Sequence, residues 1–303
     1  MSKIVVIGSS NADLVINTKK APEGGETVMG ESFAMNYGGK GANQAVAVQR
    51  IGGEVTFVAK VGDDQFGHQM CNHFAEEKMD LTYLYTDAET SSGVALIIVD
   101  GRAENRIVVA AGANGKLTEK DIETALPAIE KSEIVLMQLE TPMATVEYVC
   151  KKAAALNKKM ILNPAPACQL SDDLLNGLFL ITPNETEASI LTGVSVEDEA
   201  SAQKAADILL GQGVQNVAIT LGAKGVWVQN VYCSLLVKSY NVNAVDTVAA
   251  GDVFNGAMAV ALSEGKNLIE AANFACAASA ISVTRIGAQS SVPYREEVEE
   301  FMK

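Results

Sequence analysis

Basic residues are scarce in this chain of 303 residues. It contains 23 Lys and Arg against 37 Asp and Glu, so its formal net charge is −14 at pH 7. A charge of this sign repels polyanions, which excludes nucleic acids and anionic membranes as expected partners. Any site for a phosphate group must therefore be built locally.

Paired cysteines and long apolar segments are lacking as well. The five cysteines are scattered and form no Cys-x-x-Cys pair, so the sequence predicts neither a disulfide framework nor a zinc site. No apolar run reaches the length of a membrane span, and Met1 leads almost directly into the strand-like residues 4–7 without the apolar core of a signal peptide. We expect a protein of the reducing cytoplasm.

Two common nucleotide-binding motifs are also missing. The chain has no Gly-x-x-x-x-Gly-Lys-Ser/Thr loop, and no Gly-x-Gly-x-x-Gly follows its first predicted strand. These absences argue against a P-loop enzyme and against a dinucleotide-binding module. Hydrophobic residues make up 48% of the chain, enough for one large α/β domain or two smaller ones.

Strand and helix patterns alternate along most of the sequence. We expect a first buried strand at Lys3–Ile7, a loop at 8–13, and a parallel sheet covered by helices, because helices and strands alternate from Glu119 onward. The predicted helices are 42–51, 65–78, 119–131, 144–156 and 268–283, and the predicted strands are 55–61, 134–139, 160–162, 179–182 and 216–221. Two β segments interrupt this pattern, one at 14–37 with a strand at 26–29 and one at 92–110, and they predict a small lid.

Residues 246–252 (Asp-Thr-Val-Ala-Ala-Gly-Asp) place a carboxylate at the start of an apolar helix. The backbone N–H groups of Ala249, Ala250 and Gly251 would lie uncovered at its N-terminus, where anions bind. Asp252 in the first turn could take a proton from an attacking hydroxyl, and the combination suggests phosphoryl transfer. The alternative is an acid that only stabilises the helix start, by about 0.5–2 kcal/mol.

Other polar residues follow predicted strands. Asn11 and Asp13 follow the first strand and Glu140 follows 134–139, where a sugar could bind, although turn formation or chance placement explains them equally well. Asn184 and Glu187 have the spacing of a helix capping box. His68 and His73 lack partner ligands, which favours surface or supporting roles over metal binding.

Two stretches of the sequence resemble signatures of the PfkB carbohydrate kinase family. Residues 246–252, with Gly256 and Ala257 following, resemble the second signature, and residues 38–45 (Gly-Gly-Lys-Gly-Ala-Asn-Gln-Ala) resemble the first. The motifs occur in order between Asn11 and Ser291. The resemblance implies a single three-layer α/β domain over 1–303, with a mostly parallel central sheet and a β-sheet lid formed near 14–37 and 92–110.

The resemblance also implies an activity. The γ-phosphoryl group of ATP would pass to the primary hydroxyl of D-ribose, with Asp252 as base and the N–H groups of 249–251 as anion hole. The implied sugar-binding residues are Asn11, Ala12, Asp13, Gly39, Lys40, Gly41, Ala42, Asn43, Glu140 and Asp252. The implied nucleotide-binding residues are Asn184, Thr220, Leu221, Gly222, Ala223, Lys224, Gly225, Gly251, Asp252 and Cys276.

Two metal ions and a second subunit follow from the same resemblance. A monovalent cation, K⁺, would be held by Asp246, Val248, Ser282, Arg285, Gly287 and Ser291, mostly through carbonyl oxygens, and Glu187 would organise Mg²⁺ through water. The lid would form a homodimer. The alternatives are a family member acting on deoxyribose, a nucleoside or a ketose, and a sugar-binding module without catalysis.

Overall fold

The computed structural model describes residues 3–102 and 104–303, in which it has thirteen strands and ten α-helices. The strands are β1 (Lys3–Ile7), β2 (Asn11–Asn17), β3 (Ser32–Gly38), β4 (Glu54–Gly62), β5 (Leu84–Asp87), β6 (Gly93–Val99), β7 (Asn105–Ala110), β8 (Ile134–Met137), β9 (Lys159–Leu162), β10 (Leu180–Ile181), β11 (Asn216–Thr220), β12 (Gly225–Gln229) and β13 (Ser234–Lys238). The helices are α1 (Lys40–Arg50), α2 (Gln65–Glu76), α3 (Glu119–Lys131), α4 (Met143–Ala155), α5 (Asp172–Asn176), α6 (Glu185–Thr192), α7 (Glu199–Gly211), α8 (Ala250–Ser263), α9 (Leu268–Ser282) and α10 (Arg295–Phe301).

Nine strands form the central sheet, in the order β13-β12-β11-β10-β9-β8-β1-β4-β5. All neighbours from β11 to β5 are parallel, and β12 and β13 extend the sheet as antiparallel strands. Because the parallel strands point the same way, their carboxyl ends meet at one edge. The predicted α/β fold class is confirmed.

Helices cover both faces of this sheet. Successive side chains of a strand point to opposite faces, and in β1 Ile4 and Val6 enter one apolar core while Val5 and Ile7 enter the other. Helices α1, α2, α8, α9 and α10 contribute to the first core, and α3 to α7 contribute to the second. The result is three layers, with a core on each side of the sheet.

A separate sheet of four strands has the order β3-β2-β6-β7. Within this small sheet, Asn11 of β2 pairs with Gly38 of β3 on one side and with Gly93 of β6 on the other. The edge strand β7 is exposed along its whole length, including the large apolar side chains of Ile107, Val108 and Val109.

Two details of the predicted β segments are wrong. Residues 11–13 begin β2 instead of ending a loop, because they pair with β3 and β6. The strand predicted at 26–29 does not form, and β3 begins at Ser32 instead. The Glu26 N–H bonds Glu23 O in a turn, whereas residues 32–38 find partners along all of β2.

A membrane-spanning helix must be both long and apolar, and ten α-helices lie in the described parts of the chain. None of them meets both requirements.

Candidate active site

The carboxyl ends of the parallel strands meet the start of α8 in a cleft of about 220 Å³. Its lining combines strand ends, the first residue of α1 and the turn before α8: Lys40, Asn163, Ala165, Thr182, Asn184, Glu187, Thr220, Thr247, Ala249, Ala250, Gly251, Asp252 and Asn255. Ligands of open α/β sheets bind at this edge. The fold therefore brings together several of the predicted site residues that lie far apart in the sequence.

Helix α8 begins after a strained residue. Ala249 has φ 59° and ψ 8°, a left-handed conformation that costs a non-glycine residue roughly 1–2 kcal/mol. The expectation of three uncovered N–H groups is wrong for Ala250, whose N–H bonds Thr247 O at 3.3 Å. A Cβ at Gly251 would meet no atom within 4 Å, so open space lies beside this turn.

Asp252 lies in the first turn of α8 and is only 6% exposed. Both of its carboxylate oxygens accept a hydrogen bond at 2.9 Å, Oδ2 from Asn43 Nδ2 and Oδ1 from Gln44 Nε2. Burial raises the pKa of the Asp252 carboxyl, and the charge of Lys40 and the two amides oppose that rise. A carboxylate with a raised pKa is a stronger base, as proton abstraction from a hydroxyl requires.

Two further carboxylates act on the same site. Glu140 Oε2 accepts hydrogen bonds from the Ser9 hydroxyl and, at 2.9 Å, from the Lys40 backbone N–H. Burial, and then the charges of Glu140 and Asp252, raise the pKa of Asp13 to about 7. Three acids thus concentrate negative charge at one place.

The ammonium group of Lys40 balances part of this charge. Its burial would lower the pKa of Lys40, but the carboxylates of Asp252, Glu140 and Glu187 outweigh that effect and hold the pKa above its usual value. Lys40 therefore stays charged beside the carboxylates of Asp252, Glu140 and Glu187.

Gly41, in the first turn of α1, allows this helix to approach the end of β1 closely. A Cβ at Gly41 would lie 2.4 Å from the Ser9 nitrogen, and the Ala42 N–H donates to Ser9 O at 2.8 Å. This contact fixes α1 so that Asn43 reaches Asp252. The predicted role of Gly39, Lys40, Gly41, Ala42 and Asn43 in binding a sugar stays a prediction.

Asn11, at the start of β2, is fixed by a residue far along the chain. Its Oδ1 accepts a hydrogen bond from Asn114 Nδ2 at 2.8 Å, and Asn114 also bonds both the N–H and the carbonyl of Ser10. Because its oxygen is engaged, the amide of Asn11 presents its NH₂ group as the free end. Ala12, next to it, is fully buried.

Asn184 and Glu187 form the capping box at the start of α6. Asn184 Oδ1 accepts from the Glu187 N–H at 2.8 Å, and Glu187 Oε2 accepts from the Asn184 N–H at 2.9 Å. The capping interpretation is confirmed. Burial raises the pKa of the Glu187 carboxyl, with the Asn184 N–H and then Lys40 opposing this.

Apart from Asn184, Gly251 and Asp252, the predicted nucleotide residues lie in two places. Residues 220–225 make a tight turn in which the Leu221 N–H bonds Gly225 O at 2.8 Å, and Lys224 Nζ donates to Glu197 O. Cys276 is buried in α9 within the apolar core, and burial raises the pKa of its thiol to about 12. A contact of Cys276 with a nucleotide stays a prediction.

Asp246 connects the two segments predicted to hold a monovalent cation. Its Oδ1 accepts from the Val248 N–H at 3.0 Å and its Oδ2 from the Gly287 N–H at 2.9 Å. The remaining residues flank these contacts: Ser282 bonds within α9, Arg285 pairs with Glu297, and Ser291 donates to Ala288 O. The structure therefore brings the two segments together beside the start of α8.

Comparison with known proteins gives the family. Residues 1–295 match the model of the pfkB family of carbohydrate kinases. The chain belongs to this family. A ribokinase of Haemophilus influenzae is 48% identical to this pfkB kinase over 300 residues, covering 99% of the chain and 98% of the relative. A deoxyribokinase of Salmonella typhi is 36% identical over 300 residues, again covering 99% and 98%.

A solved structure extends the comparison. The ribokinase of Arabidopsis thaliana complexed with ribose and ATP has a TM-score of 0.94 to this pfkB kinase at 30% identity, and the alignment covers 100% of this chain and 99% of that one. The fold and the family are thereby shown over the whole length.

Three buried amides of this pfkB kinase were missed by sequence reasoning. Gln44 bonds Asp252, Asn114 bonds Asn11, and Gln289 Nε2 bonds Asn43 Oδ1 at 3.2 Å. Gln44 lies within a recognised signature and could have been found there. Asn114 and Gln289 carry no local signal, because their partners are 103 and 246 residues away.

We predict that Asp13→Asn stabilises the ligand-free protein more at pH 8 than at pH 5. The folded-state pKa of about 7 lies above the ordinary pKa of an Asp carboxyl. The folded protein holds the Asp13 proton more tightly than the unfolded chain does, so protonation of Asp13 stabilises the fold at low pH. This stabilisation is lost as the pH rises toward 7. Because Asn cannot ionise, the variant should keep that stability, and its Tm should exceed that of the unaltered protein by a few degrees at pH 8. Equal gains at both pH values would contradict the raised pKa.

Proposed function

We propose that this chain transfers the γ-phosphoryl group of ATP to O5 of D-ribose, giving D-ribose 5-phosphate and ADP. The observation that carries the proposal is the buried carboxylate of Asp252, held by two amides at the start of α8 beside open space at Gly251. The 48% identity to the Haemophilus influenzae ribokinase and the fold shared with the Arabidopsis enzyme in complex with ribose and ATP support this substrate pair. We propose that the enzyme works in the cytoplasm, a reducing compartment in which its five free cysteines stay unpaired.

The chemistry is an in-line displacement at phosphorus. Asp252 accepts the proton of the O5 hydroxyl as that oxygen forms its bond to the γ-phosphorus. The bond between the γ-phosphorus and the bridging oxygen breaks, and its electron pair leaves with ADP. Backbone N–H groups at Ala249 and Gly251 stabilise charge on the transferring group, and removal of one such donor commonly costs about 10²–10³-fold in rate.

The sugar is held on the side of the small sheet. Asn11 presents its NH₂ group and Asp13 and Glu140 accept from hydroxyls, so the site offers both a donor and acceptors to the sugar. Ribose hydroxyls donating to Asp13 favour its charged form and so lower its pKa on binding. The small sheet acts as a lid that excludes water during transfer.

Two metal ions fit the residues around α8. In the capping box only Oε2 of Glu187 is used, and a carboxylate acting through water suits Mg²⁺, which retains its own waters and binds the ATP phosphates. Asp246 aligns segments 246–248 and 282–291, whose carbonyl oxygens would surround K⁺. Mg²⁺ would supply charge neutralisation on the phosphates, and K⁺ would strengthen the field at the anion hole.

Two variants of Glu187 separate its metal role from its capping role. Glu187→Gln retains an oxygen that accepts from the Asn184 N–H, so the free energy of unfolding should change by less than about 0.5 kcal/mol while the Mg²⁺ concentration for half-maximal rate rises. Glu187→Ala should lose the cap as well, at about 1 kcal/mol. Urea unfolding and Mg²⁺ titration of the rate measure the two effects. An unchanged Mg²⁺ requirement in both variants would leave capping as the whole role of Glu187.

A substrate panel tests the proposed function. ADP release is measured with Mg-ATP and D-ribose, 2-deoxyribose, D-fructose or adenosine, each with K⁺ and with Na⁺ alone. We expect the highest kcat/KM on D-ribose and a higher rate with K⁺. Preference for 2-deoxyribose would assign the activity of the Salmonella typhi relative instead, and a rate indifferent to K⁺ would contradict the cation site.

We also propose that two copies associate through the small sheet. Its edge strand β7 exposes Ile107, Val108 and Val109 to solvent, and Phe33 on β3 is 64% exposed. Exposed apolar side chains on an edge strand commonly mark an interface. Sedimentation should give a molecular mass twice that of the chain, and Val108→Asp should reduce this mass to that of a single chain. A monomeric unaltered protein would refute the dimer.

A further inference from the structure

A chain of hydrogen bonds connects His73 to the carboxylate of Asp252. His73 Nε2 lies 2.8 Å from Gln289 Oε1, Gln289 Nε2 donates to Asn43 Oδ1 at 3.2 Å, and Asn43 Nδ2 donates to Asp252 Oδ2 at 2.9 Å. Gln289 and Asn43 are 3% and 6% exposed, so water does not replace these partners. The chain joins α2, the turn Gln289–Ser291, α1 and α8.

The carboxylate fixes the direction of every bond in this chain. Because an ionised Asp252 only accepts, Asn43 must present its NH₂ group and turn its oxygen toward Gln289. Gln289 must then donate to that oxygen and offer its own oxygen to the ring. His73 is therefore required to carry its proton on Nε2.

Further contacts immobilise the outer end of the chain. The ring of His73 stacks on Tyr37 of β3, with centroids 4.2 Å apart and an interplanar angle of 11°. Arg50 donates to the backbone oxygen of Gln289 at 2.7 Å. The first two members of the chain are thus held by the small sheet and by α1.

We propose that Gln289 and His73 are positioning residues of the phosphoryl transfer, acting on Asp252 through Asn43. Without Gln289, Asn43 Oδ1 loses its hydrogen-bond donor, so the Asn43 amide is no longer held at both ends and the NH₂ group that orients the base can shift. Misplacement of a base by about 1 Å lowers the rate of the chemical step far more than it weakens substrate binding. This inference rests on the proposed function.

Two substitutions and their combination test the proposal. Gln289→Met keeps the size of the side chain but removes both bonds, and His73→Phe keeps the stack on Tyr37 but removes the Nε2–H donor. We expect kcat to fall about 10–100-fold in Gln289→Met and about 3–10-fold in His73→Phe, with KM for D-ribose and ATP within about threefold. Because His73 acts only through Gln289, the double variant should match Gln289→Met alone.

A control and contrary outcomes complete the test. His68 lies on the same helix, is exposed and pairs with Asp63 at the surface, so His68→Phe should leave kcat unchanged. Multiplicative losses in the double variant, an unchanged kcat in Gln289→Met, or a loss confined to KM would overturn the proposal. Thermal unfolding of His73→Phe, which replaces a half-buried ring, verifies that the fold is intact.

A readout without substrate separates this proposal from the proposed function. The chain has only two histidines, so long-range ¹H–¹⁵N spectra of the histidine rings, compared with those of His68→Phe, identify His73. We expect the Nε2–H form in the unaltered protein and a mixture of tautomers in Gln289→Met. A proton on Nδ1 would refute the chain of bonds even in an active enzyme, whereas the Nε2–H form in a protein inactive on every sugar would refute the proposed function alone.

Discussion

Asp252→Asn is expected to lower kcat for D-ribose phosphorylation by roughly 10³–10⁴-fold and to leave D-ribose binding nearly unchanged. The amide has no basic lone pair to accept the O5 proton. It also places an NH₂ group against one of the donors, Asn43 or Gln44, that now bond the carboxylate. Single-turnover kinetics and calorimetric titration of D-ribose measure the two effects separately.

A remote carboxylate gives the matched control. Asp207 on α7 accepts a hydrogen bond from Gln229 Nε2 at 2.6 Å, so Asp207→Asn makes the same chemical change away from the cleft. It should retain full activity. Substantial turnover in Asp252→Asn, or an equal loss in Asp207→Asn, would show that Asp252 is not the base.

Gly251→Ala is expected to lower kcat/KM for ATP by about 10²–10³-fold without destabilising the fold. The new methyl group meets no protein atom within 4 Å, so nothing in the chain resists it. It does enter the space at the start of α8 that the proposed function assigns to the transferring phosphoryl group, where it would displace that group from the N–H donors. Alanine in a helix is also favoured over glycine by about 0.5–1 kcal/mol.

A second glycine controls for this substitution. Gly211 in the last turn of α7 likewise has open space at its Cβ position. Gly211→Ala should leave activity unchanged and should change the free energy of unfolding by no more than about 1 kcal/mol. The Tm of both variants and the kinetics with varied ATP are the measurements. Normal ATP kinetics in Gly251→Ala would contradict the placement of the phosphate.

Local patterns account for much of the fold. Helix α3 occurs at the predicted residues, and β6 and β7 lie within the β segment predicted at 92–110. Their signals are short-range, such as the Thr118 capping box and the turn at Asp100-Gly101. The strand predicted at 26–29 failed because alternation alone does not select a partner, and β2 pairs with 32–38 instead.

The candidate site was predictable only in part for the same reason. Asp252 and Asn43 stand in recognisable stretches, but the amides that orient them are set by tertiary contacts. Gln289 meets Asn43 across 246 residues, and Asn114 meets Asn11 across 103. No periodicity or spacing in the sequence encodes such contacts.

The acids of the site also illustrate a conflict between stability and function. Burial, and then repulsion from the carboxylates of Glu140 and Asp252, raises the pKa of Asp13 to about 7. Such repulsion weakens the ligand-free fold, yet it leaves strong acceptors for hydroxyl groups and a strong base. A bound sugar and Lys40 would relieve it.

Identification of the product by ³¹P and ¹³C NMR, after reaction of D-ribose with Mg-ATP, tests the central proposal most directly. We expect D-ribose phosphorylated on O5 together with an equal amount of ADP. Phosphate on another carbon, ADP with free phosphate in place of a sugar phosphate, or no reaction with D-ribose would contradict it.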